Sequence, residues 1–186
     1  MSLFIASASR WGHFARTAAT ALLITAGAAS LGAVLPGSAL ADQFEPIGGG
    51  WEVYVNDRYG TSLAFPADIF TPAEPPENGD GRRFHSDDAT LEVYAWQNVD
   101  NESANSLKRR LVGTEGYTEV TYSPSGSSWL VLSGYRGDNI FYEKYFFRGG
   151  EVHGFGMEFP ADEKPFYAPM VERIEDSFRA GWDGAG

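Results

Sequence analysis

The sequence predicts an α+β protein in which an antiparallel β-sheet of about six to eight strands is flanked by helices and preceded by an N-terminal signal helix. Two observations lead to this prediction. Eight stretches with strand-like patterns follow one another in hairpins, and only two stretches have the spacing of an amphipathic helix. The predicted order is four strands, a helix, four strands and a second helix.

The first 41 residues have the composition of a secretory signal peptide. A segment with two arginines and no acidic residue leads into an apolar run over residues 17–35, and residues 39–41 (Ala-Leu-Ala) have the small-x-small pattern of a signal-peptidase site. We therefore expect cleavage between Ala41 and Asp42, export to the periplasm or beyond by the general secretion route, and no stable membrane insertion afterwards. The alternative is an uncleaved anchor, because the run approaches the length of a spanning helix.

Cleavage would leave 145 residues, of which residues 51–182 are predicted to form a single α+β domain. The removed segment holds two of the 14 lysine and arginine residues and none of the 25 acidic residues, so the formal net charge changes from −11 to −13. A surface this acidic repels phosphate backbones, and we expect no nucleic-acid partner. Because the chain has no cysteine, its stability must come from the core rather than from disulfides.

The mature chain begins with a glycine-rich stretch, and residues 42–50 are predicted to be a flexible leader. Strands are predicted next over residues 51–56 and 61–66, where a turn between the two stretches indicates a hairpin. A long surface loop follows, because three closely spaced prolines forbid a continuous helix or a central strand.

Six further strands and two helices complete the predicted order. The short helix over residues 102–113 places two leucines four residues apart on one face, and the C-terminal helix over residues 163–182 repeats apolar residues every four positions. The connections Gly137-Asp138 and Gly149-Gly150 are typical of tight hairpins. The strands are predicted over residues 82–86, 90–97, 117–123, 129–136, 139–148 and 151–160.

Three motifs within this pattern resemble a known family. They are RYGTSLAFPADIF at residues 58–70, SGYR at residues 133–136 and FYEK at residues 141–144. The first is similar to the aromatic-Gly-x-Ser-x-x-x-Pro phrase near the start of PsbP-like domains, and together they resemble a group of small exported bacterial proteins of unknown function. The resemblance covers most of residues 51–180. It implies an α/β/α sandwich and an accessory or binding role, and it brings no catalytic residues.

The segment ENGDGRRFHSDD has the composition of a possible metal loop, with His85, Asp87 and Asp88 close together. A calcium-binding loop that begins at the asparagine of this segment is excluded, because the residues at its fifth and twelfth positions have no side-chain oxygen to coordinate the ion. A zinc site would need a further ligand from elsewhere. The alternative is a strand between two turns, in which Gly79 and Gly81 supply positive φ angles. The three side chains are therefore binding candidates, and no metal or cofactor is assigned.

A second set of candidates lies in the predicted strand EVHGFGMEF. His153 falls on one face of this strand, and Gly154 and Gly156 fall on the other. Positions without a side chain let another group approach the backbone closely. The pattern therefore predicts either tight packing of a helix against the two glycines or a groove for a ligand.

The motifs favour a binding function over catalysis. The sequence has no Gly-x-Ser-x-Gly motif and no cysteine nucleophile. We therefore expect an exported, non-enzymatic accessory or binding protein with an unknown protein or small ligand as its partner and with no cofactor. The alternative is a metal-dependent or histidine-dependent hydrolase of the periplasm, which predicts that His85 or His153 lies in a pocket beside carboxylates.

Overall fold

The computed structural model describes residues 42–182, and within them the chain forms ten strands and two α-helices. The predicted signal peptide, including Ala41, lies outside the described residues. The strands are β1 Gln43–Gly48, β2 Trp51–Val55, β3 Ser62–Pro66, β4 Thr71–Pro72, β5 Gly81–His85, β6 Thr90–Gln97, β7 Glu119–Tyr122, β8 Trp129–Arg136, β9 Asn139–Arg148 and β10 Glu151–Pro160. The helices are α1 Ala104–Thr114 and α2 Lys164–Ser177, the second preceded by a 3₁₀ turn, Ala161–Glu163.

The strands form two antiparallel sheets, which confirms the predicted fold class. One sheet has the order β1-β2-β3, and the other has the order β4-β5-β6-β10-β9-β8-β7. The predicted glycine turns join β8 to β9 and β9 to β10, since Arg136 pairs with Asn139 and Arg148 pairs with Glu151. The last strand, β10, returns to the middle of the large sheet and pairs with β6.

The helices cover opposite faces of the seven-stranded sheet. Phe155 and Met157 of β10 belong to a core that includes the inner face of α2 and side chains of β2 and β3. Val152, which points to the other side of the same strand, belongs to a core with Leu107 and Leu111 of α1. The predicted α/β/α sandwich is therefore confirmed.

Local sequence accounts for where α1 begins. The Ser103 hydroxyl accepts a hydrogen bond from the Ser106 N–H at 3.2 Å, and the Ser106 hydroxyl accepts one from the Ser103 N–H at 2.8 Å. This reciprocal capping box satisfies two backbone donors that a helix start otherwise leaves unpaired. Neither helix within residues 42–182 is long and apolar enough to cross a membrane.

The prediction that residues 42–50 form a flexible leader is wrong. This segment contains β1, which pairs with β2 from Gln43 opposite Val55 to Gly48 opposite Trp51. Strand pairing uses main-chain groups, and every residue of β1 except Phe44 is exposed, so the alternation that reveals a half-buried strand is absent.

Two smaller differences concern the edge of the large sheet and the C-terminal helix. The proline-rich loop contains β4, whose Pro72 is tolerated because β4 is an edge strand. The C-terminal helix buries a narrower face than its pattern predicts. Tyr167, Val171 and Ile174 are buried, whereas Phe166 is 49% exposed.

Candidate functional site

A cleft of about 620 Å³ lies where the β5–β6 hairpin meets the start of α2. This volume is within the range typical of ligand sites. Three segments form its walls: the loop before β4, the hairpin tip, and the first turn of α2 with the 3₁₀ turn before it. We term it the acidic cleft. Its lining residues are Asp68, Ile69, Thr71, His85, Ser86, Asp87, Asp88, Glu163, Phe166 and Tyr167.

The carboxylates of the acidic cleft are largely unneutralised. Four of them line it, and no lysine or arginine does so among the described residues. The side chains of Asp68, Asp87 and Glu163 are exposed, and they make no hydrogen bond or ion pair with any other described residue. Phe166 adds an exposed aromatic ring to the same surface. A cationic group with an apolar portion is complementary to such a surface.

The fourth carboxylate has a structural partner. The Tyr167 hydroxyl donates a hydrogen bond to Asp88 Oδ1 at 2.5 Å and lies 3.2 Å from the Ser86 hydroxyl oxygen. Burial and this carboxylate raise the pKa of Tyr167, so the phenol keeps its proton and remains a donor. The Ser86 hydroxyl in turn accepts a hydrogen bond from the Ala89 N–H at 2.9 Å. Tyr167 thereby fastens the hairpin tip to α2 and holds the cleft in shape.

The predicted candidates His85, Asp87 and Asp88 all line this cleft. The interpretation of their segment as a strand ending in a hairpin is confirmed, because β5 ends at His85 and β6 begins at Thr90. Throughout residues 42–182, no three histidine, aspartate or glutamate side chains are grouped so that they could hold a metal ion.

His153, the other predicted histidine, is buried on the α2 face of β10 and does not line the acidic cleft. Its Nδ1 lies 2.7 Å from the Thr61 hydroxyl oxygen, and its Nε2 lies 3.3 Å from Glu151 Oε2. Burial lowers the pKa of His153. A neutral ring that accepts at Nδ1 and donates at Nε2 fits both contacts.

Thr61, His153 and Glu151 have the order hydroxyl, imidazole and carboxylate that hydrolases use, but the first two are buried. Thr61 is 0% exposed and His153 is 1% exposed. The backbone of Gly181 covers the imidazole, since a Cβ there would lie 3.6 Å from His153 Cε1 and Nε2. In this arrangement the buried Thr61–His153 contact links the residue before β3 to β10.

The two predicted glycines occupy different environments. A Cβ on Gly154 would lie 2.6 Å from Tyr94 Cε2 and 3.1 Å from Tyr145 Cδ1, so aromatic rings of neighbouring strands fill this position rather than a helix. A Cβ on Gly156 would approach nothing closer than 3.4 Å, and this glycine lines a small concavity of about 80 Å³ on the α1 face. The prediction that these glycines form a ligand groove remains a prediction.

Arg136, Glu143 and Glu158 line this small concavity and belong to a network of partly buried polar side chains. Glu143 Oε2 accepts hydrogen bonds from the Tyr117 and Tyr145 hydroxyls, each at 2.7 Å. Arg136 donates to Glu143 Oε1 at 3.3 Å and to Glu158 Oε2 at 2.5 Å. Burial raises the pKa of Glu143, and the surrounding donors oppose that rise. The network pairs its members with one another.

The sequence did not lead us to predict that Glu143 and Arg136 form an ion pair with each other, although both lie in the motifs that carry the PsbP-like resemblance. One feature of the sequence could have indicated that Glu143 is paired. Glu143 stands two residues from Phe141 and two from Tyr145, so it falls on a strand face that is otherwise apolar. A charge at such a position implies a buried partner.

Comparison with known proteins supports the fold. The solution structure of cyanobacterial PsbP (CyanoP) from Synechocystis sp. PCC 6803 matches with a TM-score of 0.53 and 13% sequence identity, covering 73% of this chain and 97% of that chain. A crystal structure from Bacteroides thetaiotaomicron matches with a TM-score of 0.44 and 13% identity, covering 67% of this chain and 46% of that chain. No protein-family model and no curated protein matches the sequence. The fold of this protein is PsbP-like.

Proposed function

We propose that this protein is an exported accessory module that binds a positively charged segment of a partner protein in the acidic cleft. The observation that carries the proposal is the set of three carboxylates, on Asp68, Asp87 and Glu163, which surround a ligand-sized cleft without any partner in the fold. Carboxylates that line one cleft without a basic side chain give the cleft a negative potential, which attracts a cationic occupant.

A protein segment suits the cleft better than a free cation. The cleft is open, and Phe166 offers an aromatic surface beside the carboxylates. Lysine and arginine side chains present both an apolar stem and a charged end, so they use both features at once. The resemblance to PsbP-like domains, which implies an accessory or binding role, agrees with this occupant. The formal charge of −13 expected after cleavage argues against nucleic acid.

The test is fluorescence anisotropy with a labelled hexapeptide of lysine and phenylalanine residues, titrated with residues 42–186 at about 0.15 M salt. The variant Asp68→Asn/Asp87→Asn/Glu163→Gln should bind about tenfold more weakly, because each lost surface ion pair contributes about 0.2–1 kcal/mol. Phe166→Ala should also weaken binding. The same peptide with glutamate in place of lysine should not bind.

A matched variant separates the cleft from the overall negative charge. Glu45→Gln/Asp100→Asn/Glu119→Gln removes three exposed carboxylates outside the cleft and changes the net charge equally. It should leave peptide binding almost unchanged. Equal weakening by both triple variants would show that the peptide senses only long-range charge, and the proposal would then be abandoned.

The alternative of a histidine-dependent hydrolase rests on the Thr61–His153–Glu151 arrangement. It requires the segment around Trp182 to move away so that Thr61 meets a substrate. The discriminating assay is hydrolysis of a p-nitrophenyl ester by the parent, Thr61→Val and His153→Gln chains. Hydrolysis that both substitutions abolish would favour the hydrolase over the binding module.

A further inference from the structure

The single Asn-Gly pair of the sequence, Asn78-Gly79, lies in the turn before β5. Asn78 is exposed. Asparagine is chemically labile, because the main-chain nitrogen of the next residue can attack its side-chain carbonyl carbon. A following glycine has no side chain to hinder that attack, and a Cβ on Gly79 would have nothing within 4 Å. The pair therefore has the chemistry of a deamidation site.

In the folded chain, hydrogen bonds occupy both groups that would have to react. The Gly79 N–H donates to the Pro76 carbonyl oxygen at 3.0 Å, which closes the turn. The side-chain amide of Asn78 donates through Nδ2 to Asp80 Oδ2 at 2.6 Å. Attack requires the Gly79 nitrogen to lose its proton and the Asn78 side chain to turn towards it. The turn must therefore open before the reaction can occur.

Two further contacts fasten this turn to the loop that joins β2 to β3. Arg58 donates through Nη1 to the Asn78 carbonyl oxygen, and Asn56 donates through Nδ2 to the Gly79 carbonyl oxygen at 3.0 Å. Asn56 is 1% exposed, whereas Arg58 is exposed. The two carbonyl groups flank the Gly79 nitrogen along the chain. The contacts from the β2–β3 loop therefore hold the reacting segment on both sides.

We propose that Asn78 is a deamidation site that reacts only when the turn separates from the β2–β3 loop. In the reaction the Gly79 nitrogen forms a bond to Asn78 Cγ, and the bond from Cγ to Nδ2 breaks. The proton of the Gly79 nitrogen leaves with the amide group as ammonia. Water then opens the cyclic imide at either carbonyl carbon, which leaves aspartate or isoaspartate at residue 78. Water is the only other reactant.

The product should keep the turn from closing again. Asp80 Oδ1 is buried without a hydrogen-bond partner among residues 42–182, and the Asn78 amide is the donor to Oδ2. Burial raises the pKa of Asp80, and this donor opposes the rise. A carboxylate at residue 78 replaces the donor with a like charge, and isoaspartate also inserts a methylene group into the main chain. Deamidation would thus record permanently that the turn has opened, independently of the acidic cleft.

The experiment incubates the full-length chain at neutral pH and follows residue 78 by peptide mass spectrometry. Residues 59–82 contain no other side-chain amide, so the conversion is assigned without ambiguity. The same chain unfolded in guanidinium chloride gives the unhindered rate. The folded parent should react at least about tenfold more slowly, because the reaction requires local opening. Arg58→Ala should accelerate the folded reaction about threefold, because the loss of one hydrogen bond makes opening more frequent.

Matched changes separate this contact from general effects. Arg109→Ala removes an exposed arginine of α1 and should leave the rate unchanged. Arg58→Lys keeps a donor at the contact, so it should react more slowly than Arg58→Ala. Circular dichroism should show the parent fold in each variant, since both arginines are exposed. Equal rates for the folded and unfolded parent, or for the parent and Arg58→Ala, would overturn the proposal.

Discussion

Replacing Gly154 by alanine should destabilise this protein, whereas the same change at Gly156, two residues along the same strand face, should not. The two positions share one strand and have no positive φ. They differ in what surrounds the missing Cβ. At Gly154 that atom would lie 2.6 Å from Tyr94 Cε2 and 3.1 Å from Tyr145 Cδ1, whereas at Gly156 the nearest atom would be Glu143 Cγ at 3.4 Å.

The magnitude follows from how far the rings can move. Tyr145 is 3% exposed, and its ring centroid lies 6.1 Å from that of Tyr94 and 6.3 Å from that of Trp96. Tyr145 is buried among these rings and has little room to move, so we expect Gly154→Ala to cost about 1–3 kcal/mol, as overpacking usually does. Gly156→Ala meets only ordinary contacts, and it should gain about 0.4–1 kcal/mol because alanine has less conformational freedom when unfolded.

Urea unfolding of residues 42–186, followed by tryptophan fluorescence, measures both changes as shifts of the midpoint. A Tyr94→Leu background supplies the control. It removes the ring that lies closest to the added Cβ, so Gly154→Ala should cost less stability in that background. If Gly154→Ala were neutral, or if Gly156→Ala were the more harmful change, the packing argument for these glycines would fail.

Three further predictions use the same unfolding assay. Burial lowers the pKa of His153, so its contribution to stability is present above the unfolded pKa of about 6.5 and is lost as the pH falls from there through the lower folded pKa. His153→Gln should therefore lose less stability than the parent between about pH 7.5 and about pH 5.5. Tyr117→Phe removes one donor to the buried Glu143 and should cost about 1–3 kcal/mol. Leu107→Ala, at a fully buried position of α1, should cost about 2–5 kcal/mol.

Local patterns were sufficient to predict most elements of the fold. The hairpins at Gly137 and Gly149 were recognisable because a two-residue turn of the primed type requires residues that accept positive φ, and both glycines have it. The buried leucines of α1 were recognisable because their spacing of four matches the helical repeat. In each case the cause acts within a few residues, so the sequence around the element contains the information.

Features that depend on distant partners were not predictable in this way. The pairing of β10 with β6 joins segments about 60 residues apart, and nothing in either strand specifies the other. Gly81 was expected to supply a positive φ, but it has none. A Cβ there would lie 2.1 Å from the Val93 carbonyl oxygen, so the glycine permits close approach of β6. That reason exists only once the two strands have paired.

The placement of the candidate site follows from which charged side chains are already paired within the fold. On the α1 face, Glu143 takes part in a network with Arg136 and two tyrosines, and this mutual pairing offsets the cost of burying the charges. Such a network has little capacity left for an external ligand. In the acidic cleft, Asp87 and Glu163 are exposed and unpaired, so binding a cation there does not first require breaking internal contacts. Recognition is therefore expected at the cleft, although the most strongly perturbed ionisable groups lie in the network.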